Sequence, residues 1–487
     1  MGKENLTLLT DFYELTMMQG YFKNKTNEIV VFDAFYRNNP SESGYSICAG
    51  LEQVIDYVKN LCFDKDDINY LRNLKIFDED FLAYLEEFHF TGDIYAIPEG
   101  SVVFPMEPLV KVIAPIMEAQ LVETAILNMI NHQSLIATKA SRVCYAAKGD
   151  GVMEFGLRRA QGPDAGTYGA RAAVIGGCIG TSNVLAAKEF DIPALGTHAH
   201  SWIMSFDDEL TAFKKYAELY PDNVTLLVDT YDTLRSGVPN AIRVFKELQD
   251  AGNMPPKYGI RLDSGDLAYL SKKARKMLDH AGFKEAGILA SSDLDEYLID
   301  SLKTQGAKIT SWGVGTNLIT SKDWPAFGGV YKLAAIEKDG VFVPKIKLSE
   351  NQWKITNPGN KTIIRVYEKE TGKIKADLIA MADEIYTEDS SLKLFDPIAT
   401  WKKTTLKAGT YTIREMLVPV FIKGECVYTS PSVMEIRAYC QKELDTLWDE
   451  TRRLVNPHNV YVDLSTPLFN LKHELLDSIN NQSINER

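Results

Sequence analysis

Between Val152 and Thr316 short apolar, β-rich runs break off six times into polar or glycine-bearing clusters: VMEFGLRR (Val152 to Arg159), ALGTHAHS (Ala194 to Ser201), TLLVDTYD (Thr225 to Asp232), YGIRLDSGD (Tyr258 to Asp266), ILASSD (Ile288 to Asp293) and ITSWGVGT (Ile309 to Thr316). Helix-period stretches lie between them, at Asp207 to Leu219, Val238 to Gln249, Leu267 to Ala281 and Leu294 to Lys303. Such alternation predicts right-handed βα units around a parallel sheet or barrel. In parallel α/β architectures the carboxyl ends of the strands carry the active site, so the polar clusters are expected to face one another across a single cleft.

The flanks read differently. Residues 1–135 mix an amphipathic helix, Leu51 to Leu61, with strand-like segments at Ile29 to Tyr36 and Gly92 to Pro108, which predicts an α+β domain. Beyond the central 136–335 region, short strands at Val341 to Ile346, Lys361 to Tyr367 and Leu378 to Met381, with a Glu370 to Gly372 turn, are expected within 336–420 to complete the N-terminal domain or form a small cap. Residues 421–487 read as a charged, helical C-terminal extension whose Asn-rich end is expected to fray.

At 487 residues the chain can bury the cores of two or three domains. A net charge of −13 and a pI near 5.2 argue against nucleic-acid or anionic-membrane partners and favour a small-molecule substrate. No apolar run approaches the ~18 residues of a membrane span, and MGKENLTLLTDFYEL has no signal-like core, so a cytoplasmic location is expected. The six cysteines contain no CxxC pair, which fits reduced packing thiols.

The clusters carry the candidate chemistry. In Gly196-Thr197-His198-Ala199-His200-Ser201 the two histidines, two apart, would point the same way from an extended segment, so catalysis, a metal pair and plain loop polarity all stay open. Asp229, nearest its strand, can orient an imidazole, while Asp229, Thr230 or Asp232 can equally cap the following helix. Arg261 and Asp263 suit a ligand with anionic groups and hydroxyls, or pair with each other. Phe155 beside Arg158 and Arg159 suits a flat anionic ring, or simply the core. Gly313 to Thr316 can form a phosphate nest or an ordinary turn. No GxxxxGK[ST] occurs, so any ATP is held without a Walker loop.

Taken together with LLTDFYELTMMQGYF near the start, the ordered strings EFGLRRAQGPD, GTHAHSWIMSF, LLVDTYDT, GIRLDSGDL and GVGTNLITS resemble the nicotinate phosphoribosyltransferase family over most of residues 6–335. The resemblance implies an α/β molecule with an irregular βα barrel of the type II phosphoribosyltransferases, an N-terminal α+β domain and a C-terminal extension, paired as a homodimer. It implies that nicotinate and 5-phosphoribosyl 1-pyrophosphate give nicotinate mononucleotide and pyrophosphate, for NAD biosynthesis, driven by ATP with Mg2+. His200 then matches the phosphorylated histidine, with Asp229 as its partner. Phe155 matches the ring that stacks on the pyridine, and Tyr13 a tyrosine from the neighbouring subunit. Arg158 and Arg261 match the carboxylate and pyrophosphate region, Asp263 and Asp293 ribose hydroxyls or Mg2+, and Gly315 and Thr316 the 5-phosphate, with Asp11 and Ser201 as further candidates. Rivals are a quinolinate enzyme, which needs more cations, a nicotinamide-specific relative, a metal-dependent hydrolase using His198 and His200, and a binding protein without turnover.

Overall fold

A computed structural model describes residues 5–351 and 354–485. The chain forms two compact units, one of residues 1–135, 326–431 and 438–487, the other of 136–325 and 432–437.

The second unit holds the parallel strands β1 (Gly151–Glu154), β2 (Asn223–Leu227), β3 (Lys257–Leu262), β4 (Gly287–Ser292) and β5 (Ser311–Val314), in the order β1-β5-β4-β3-β2. Two further staves lie beyond β1, each held by a single parallel bridge, Glu154 to Thr181 and Thr181 to Ala194. Four residues after Ala194, His198 Nε2 accepts a 3.3 Å hydrogen bond from the Leu227 N–H of β2, the strand at the opposite edge of the series. The result is an irregular barrel, laddered through five strands, extended by two bridged staves and with a side-chain hydrogen bond at its seam. Its staves pack Val152, Leu226, Ile260, Leu262, Ile288, Ala290 and Trp312 out of water, which is why these runs read as nearly continuous apolar sequence.

The helices follow as the periodicity predicts, at Glu209–Leu219, Val238–Asp250, Leu267–His280 and Glu296–Thr304. Aspartates start three of them: Asp208 accepts from Thr211 N, Asp266 from Tyr269 N and Asp295 from Leu298 N. Asp232 caps the turn Thr233–Gly237, so it is a capping residue. That turn passes so close to the end of β2 that a Cβ on Gly237 would stand 1.8 Å from the Val228 carbonyl oxygen. Only glycine fits there.

In the first unit a seven-stranded antiparallel sheet centres on Ile29–Tyr36, flanked by Val110–Pro115 and Gly329–Lys338. The strand-like stretch Gly92 to Pro108 divides into Asp93–Ala96 and Val102–Val103. Because Gly329–Lys338 pairs with Ile29–Tyr36, the barrel unit ends at Pro325, ahead of the boundary at 335 drawn from the sequence. A four-stranded sheet joins Tyr411–Glu415, Lys361–Glu368, Ile374–Met381 and Tyr461–Leu464, so part of the 421–487 extension is strand. The last helix, Thr466–Asn485, runs through the stretch whose composition predicts fraying, and the final two residues lie outside those described. The six cysteines are free thiols, and no described helix is long and apolar enough to cross a membrane.

Candidate active site

The ends of β1, β3 and β4, the segment after Ala194 and the turn after β2 converge on one polar cluster. Arg261, at the end of β3, organises it. Its Nε donates to Ser291 Oγ at 2.7 Å, Nη1 to Thr197 Oγ1 at 2.9 Å and to the His198 carbonyl at 3.3 Å, and Nη2 to Asp263 Oδ1 at 2.9 Å. Four of its five donors are thereby committed inside the protein. Arg261 also stands 6.0 Å from the centroid of the Phe155 ring. The ion pair weighed for Arg261 and Asp263 is therefore present, and most of the guanidinium serves to position its neighbours.

Asp263 accepts at Oδ1 from Arg261 and, through a short contact, from the Ser291 hydroxyl. Burial opposes its charge, but the Ser291 hydroxyl and the Arg261 cation outweigh burial and hold the carboxyl below its ordinary range. Its other oxygen, Oδ2, faces His200 Nε2 at 3.6 Å. On the opposite side of the ring, His200 Nδ1 lies 3.1 Å from the Thr230 hydroxyl. His200 opens the short helix His200–Met204 and its side chain remains 40% exposed, so the imidazole is both held and reachable.

The expected pairing of Asp229 with His200 is not what the structure has. Asp229 Oδ2 instead accepts from Asp263 N at 2.8 Å and from Ser264 Oγ at 2.7 Å, which fastens the turn that carries Asp263. Its Oδ1 is buried without a partner among the described residues. Thr230 and Asp263 take the places beside the imidazole. Asp229 sits at the strand end next to β3, whereas the chain must advance one residue before a side chain can reach His200.

Phe155 follows β1, and its N–H donates to the Val314 carbonyl at 2.8 Å. Gly313 makes room for the ring, because a Cβ there would stand 2.6 Å from the Phe155 edge. Below it Glu154 is fully buried, accepting from Thr181 Oγ1 at 2.6 Å and, at short range, from Gly156 N. Burial pushes the Glu154 carboxyl up. Gly315 lies against the Phe155 carbonyl and leads into the short helix Thr316–Ile319. Asn317 ties that helix to β4 by donating to the carbonyls of Asp293 and Leu294.

Arg158, Ser201 and Asp293 are exposed at their strand or helix ends, and none has a side-chain partner among the described residues. Tyr13 and Asp11 belong to the first unit. Tyr13 is 44% exposed on the helix Phe12–Lys23, and burial, followed by the charge of Glu123, pushes its hydroxyl up. Asp11 accepts from Thr124 Oγ1. The sequence reading missed Ser264, Ser291, Glu154 and Thr181. The hydroxyls beside Asp263 were visible in DSGD and ASSD, but nothing in those strings distinguishes a ligand-facing hydroxyl from a carboxylate clamp.

The two histidines do not converge. His198 is 9% exposed, with Nε2 bound to Leu227 N, while His200 meets Thr230 and Asp263. A metal pair made of both rings, and with it the metal-dependent hydrolase, loses its geometric basis. The oxygen donors suit a different cation chemistry. Asp229 Oδ1, buried without a partner among the described residues, exposed Asp293, and Asp263 Oδ2, which has the His200 ring beside it at 3.6 Å, are the carboxylate oxygens at these strand ends. That pattern fits Mg2+, which is commonly held by one or two carboxylates together with substrate phosphates.

Comparison with known proteins covers the whole architecture. Residues 8–131 match the nicotinate phosphoribosyltransferase (NAPRTase) N-terminal domain, 151–355 the nicotinate phosphoribosyltransferase (NAPRTase) family and 360–472 the nicotinate phosphoribosyltransferase C-terminal domain. The chain is 47% identical to nicotinate phosphoribosyltransferase of Bacillus subtilis over 477 residues, covering 98% of this chain and 96% of that one. It is 46% identical to nicotinate phosphoribosyltransferase pncB2 of Mycobacterium tuberculosis over 361 residues, 74% of this chain and 76% of the relative. Among solved structures, human nicotinic acid phosphoribosyltransferase superposes with a TM-score of 0.83 at 28% identity, covering 96% of this chain and 99% of that one.

Proposed function

The chain belongs to the nicotinate phosphoribosyltransferase family, and from that premise we propose that it joins nicotinate to 5-phosphoribosyl 1-pyrophosphate, releasing pyrophosphate, in NAD biosynthesis. One observation carries the assignment to residues: an exposed imidazole, His200, is hydrogen-bonded at Nδ1 to Thr230 and faces Asp263 with Nε2, at the same strand ends that present Phe155.

In this reading the pyridine lies on Phe155, whose ring is fixed by Gly313 and Arg261, and its carboxylate meets Arg158 and the remaining Arg261 donor. The bond from ribose C1 to the pyrophosphate oxygen breaks as the pyridine nitrogen forms the new bond to C1, so positive charge develops on the ribose and negative charge on the leaving group. Asp263 and Asp293 face the ribose hydroxyls or the cation, and Gly315 and Thr316 the 5-phosphate. Such a transfer depends on positioning and charge neutralisation more than on proton transfer. When bound, Mg2+ supplies neutralisation of the phosphate charge.

An unprotonated ring nitrogen of His200 attacks the γ-phosphorus of ATP, and as the N–P bond forms the bond to the β,γ-bridging oxygen breaks and ADP leaves, so that His200 becomes a phosphohistidine. Asp263 Oδ2, facing Nε2, is placed to stabilise positive charge on the phosphorylated ring, and Thr230 fixes the ring plane. Asp229 contributes by holding Asp263 in place.

The first unit supports a homodimer. Leu9, Phe12, Tyr13 and Met17 expose apolar surface around its first helix, which a second copy would cover while contributing Tyr13 to the pyridine. The phosphohistidine reading is tested on His200→Ala. It should lose ATP-dependent acid-labile phosphate and the stimulation by ATP, while slow ATP-independent transfer survives. Persistent acid-labile phosphate on that variant would sink the assignment.

A further inference from the structure

His198 is an imidazole beside the proposed reaction centre that the proposed chemistry does not use, and its surroundings are well defined. Among the described residues, the segment at Ala194 has a backbone bridge on one side, to Thr181. On its other side the contact to β2 is the hydrogen bond from Leu227 N to His198 Nε2, at 3.3 Å. The ring lies against Tyr216, with centroids 4.3 Å apart, and the His198 carbonyl accepts from Arg261 at 3.3 Å. Two residues on, the chain reaches His200.

We infer that His198 is a positioning residue: its neutral imidazole replaces a strand-to-strand backbone bond, closes the barrel at its seam and so sets where His200 stands. An N–H donor from Leu227 requires a lone pair on Nε2, which puts the ring proton on Nδ1. Nδ1 is buried with no partner among the described residues, so the tautomer is selected by the β2 contact alone. An imidazolium cannot accept from Leu227, and the environment opposes one. Burial first, then the Arg261 cation and His200, push the His198 pKa down to about 4. Those two groups, together with the uncharged Tyr216 ring, are the ionisable neighbours of the imidazole. The same geometry excludes His198 as a phosphate acceptor, because its one free nitrogen lone pair is spent on the backbone.

This role deepens the phosphohistidine reading and rests on it only for the kinetic consequence. The experiment therefore has two arms, both on the full-length protein. Nitrogen-15 spectra of histidine-labelled wild type should assign His198 to the Nδ1–H tautomer with no titration between pH 8 and about 5. An Nε2–H tautomer, or titration near the ordinary histidine value, would overturn the inference. In the second arm, His198→Leu keeps bulk but removes the acceptor, whereas His198→Gln places a carbonyl oxygen near the Nε2 position. His198→Leu should form phospho-His200 at least ~10-fold more slowly, with the KM for nicotinate little changed, and His198→Gln should recover most of the rate. Equal phosphorylation of wild type and His198→Leu, or phosphate found on His198 in the His200→Ala variant, would contradict it. Should the wild type take up no phosphate at all, the phosphohistidine reading fails by itself and the tautomer decides the inference about His198.

Discussion

Two aspartates on neighbouring strand ends illustrate how little residue type says about role. Asp263 presents a free oxygen to His200, whereas Asp229 spends one oxygen on Asp263 N and Ser264 Oγ. Asp263→Asn should lower the ATP-stimulated kcat by about 100-fold in steady-state assays, a larger effect than the loss of stability from unpairing Arg261, since it removes charge beside the reacting groups. Asp229→Asn should act the other way round. Loss of a charged acceptor that clamps a turn costs about 1–3 kcal/mol, readable as a shift in the urea midpoint, with a smaller effect on kcat. His198 gives a pH signature. Its folded pKa of about 4 lies below the ordinary value of 6.5, so between those values the unfolded chain binds the extra proton. Stability from this ring is complete above about pH 6.5 and is lost progressively as pH falls toward 4, by up to about 3 kcal/mol. In His198→Leu that portion of the acid sensitivity should be missing from denaturation midpoints measured at pH 7 and pH 5.

At the level of elements, the strand ends were legible and the seam was not. Apolar runs such as Val224 to Val228 and Ile288 to Ala290 are buried on both faces, so they stand out from the flanking helices, whose aspartate caps are equally plain in sequence. ALGTHAHS reads like the other five, yet only Ala194 forms a bridge, because the segment is fixed by Arg261 and the His198 ring in place of a ladder. Side-chain closure leaves no periodic trace. The pairing of Asp229 with His200 failed for a related reason: sequence order says which residues end a strand but not which way the following turn aims them. Two glycines test the element geometry. Gly237→Ala would drive a Cβ to within 1.8 Å of a backbone oxygen and should cost more than about 3 kcal/mol by chemical denaturation. Gly313→Ala meets the Phe155 ring at 2.6 Å, which can shift only by leaving its place, so the KM for nicotinate should rise about tenfold with a smaller change in stability.

For the whole molecule, the family, the reaction and the βα barrel were readable because six ordered motifs run from the start of the first unit through the second. The division of the chain was harder to read. Strand Gly329–Lys338 follows the barrel in sequence but hydrogen-bonds to Ile29–Tyr36, a pairing that no local pattern announces. The proposed dimer makes a prediction of its own. Tyr13→Ala and His200→Ala, each nearly inactive alone, should regain part of the activity when mixed as verified heterodimers, since one site then has both residues intact. Failure of such heterodimers to recover activity would count against a shared site. The central claim is met most directly by one assay: mononucleotide formation from 5-phosphoribosyl 1-pyrophosphate with nicotinate, nicotinamide or quinolinate, each with and without Mg-ATP. Strong turnover with nicotinate, stimulated by ATP, and little with the other two pyridines is the predicted result. Preference for nicotinamide or quinolinate, or no turnover with any of the three, would contradict it.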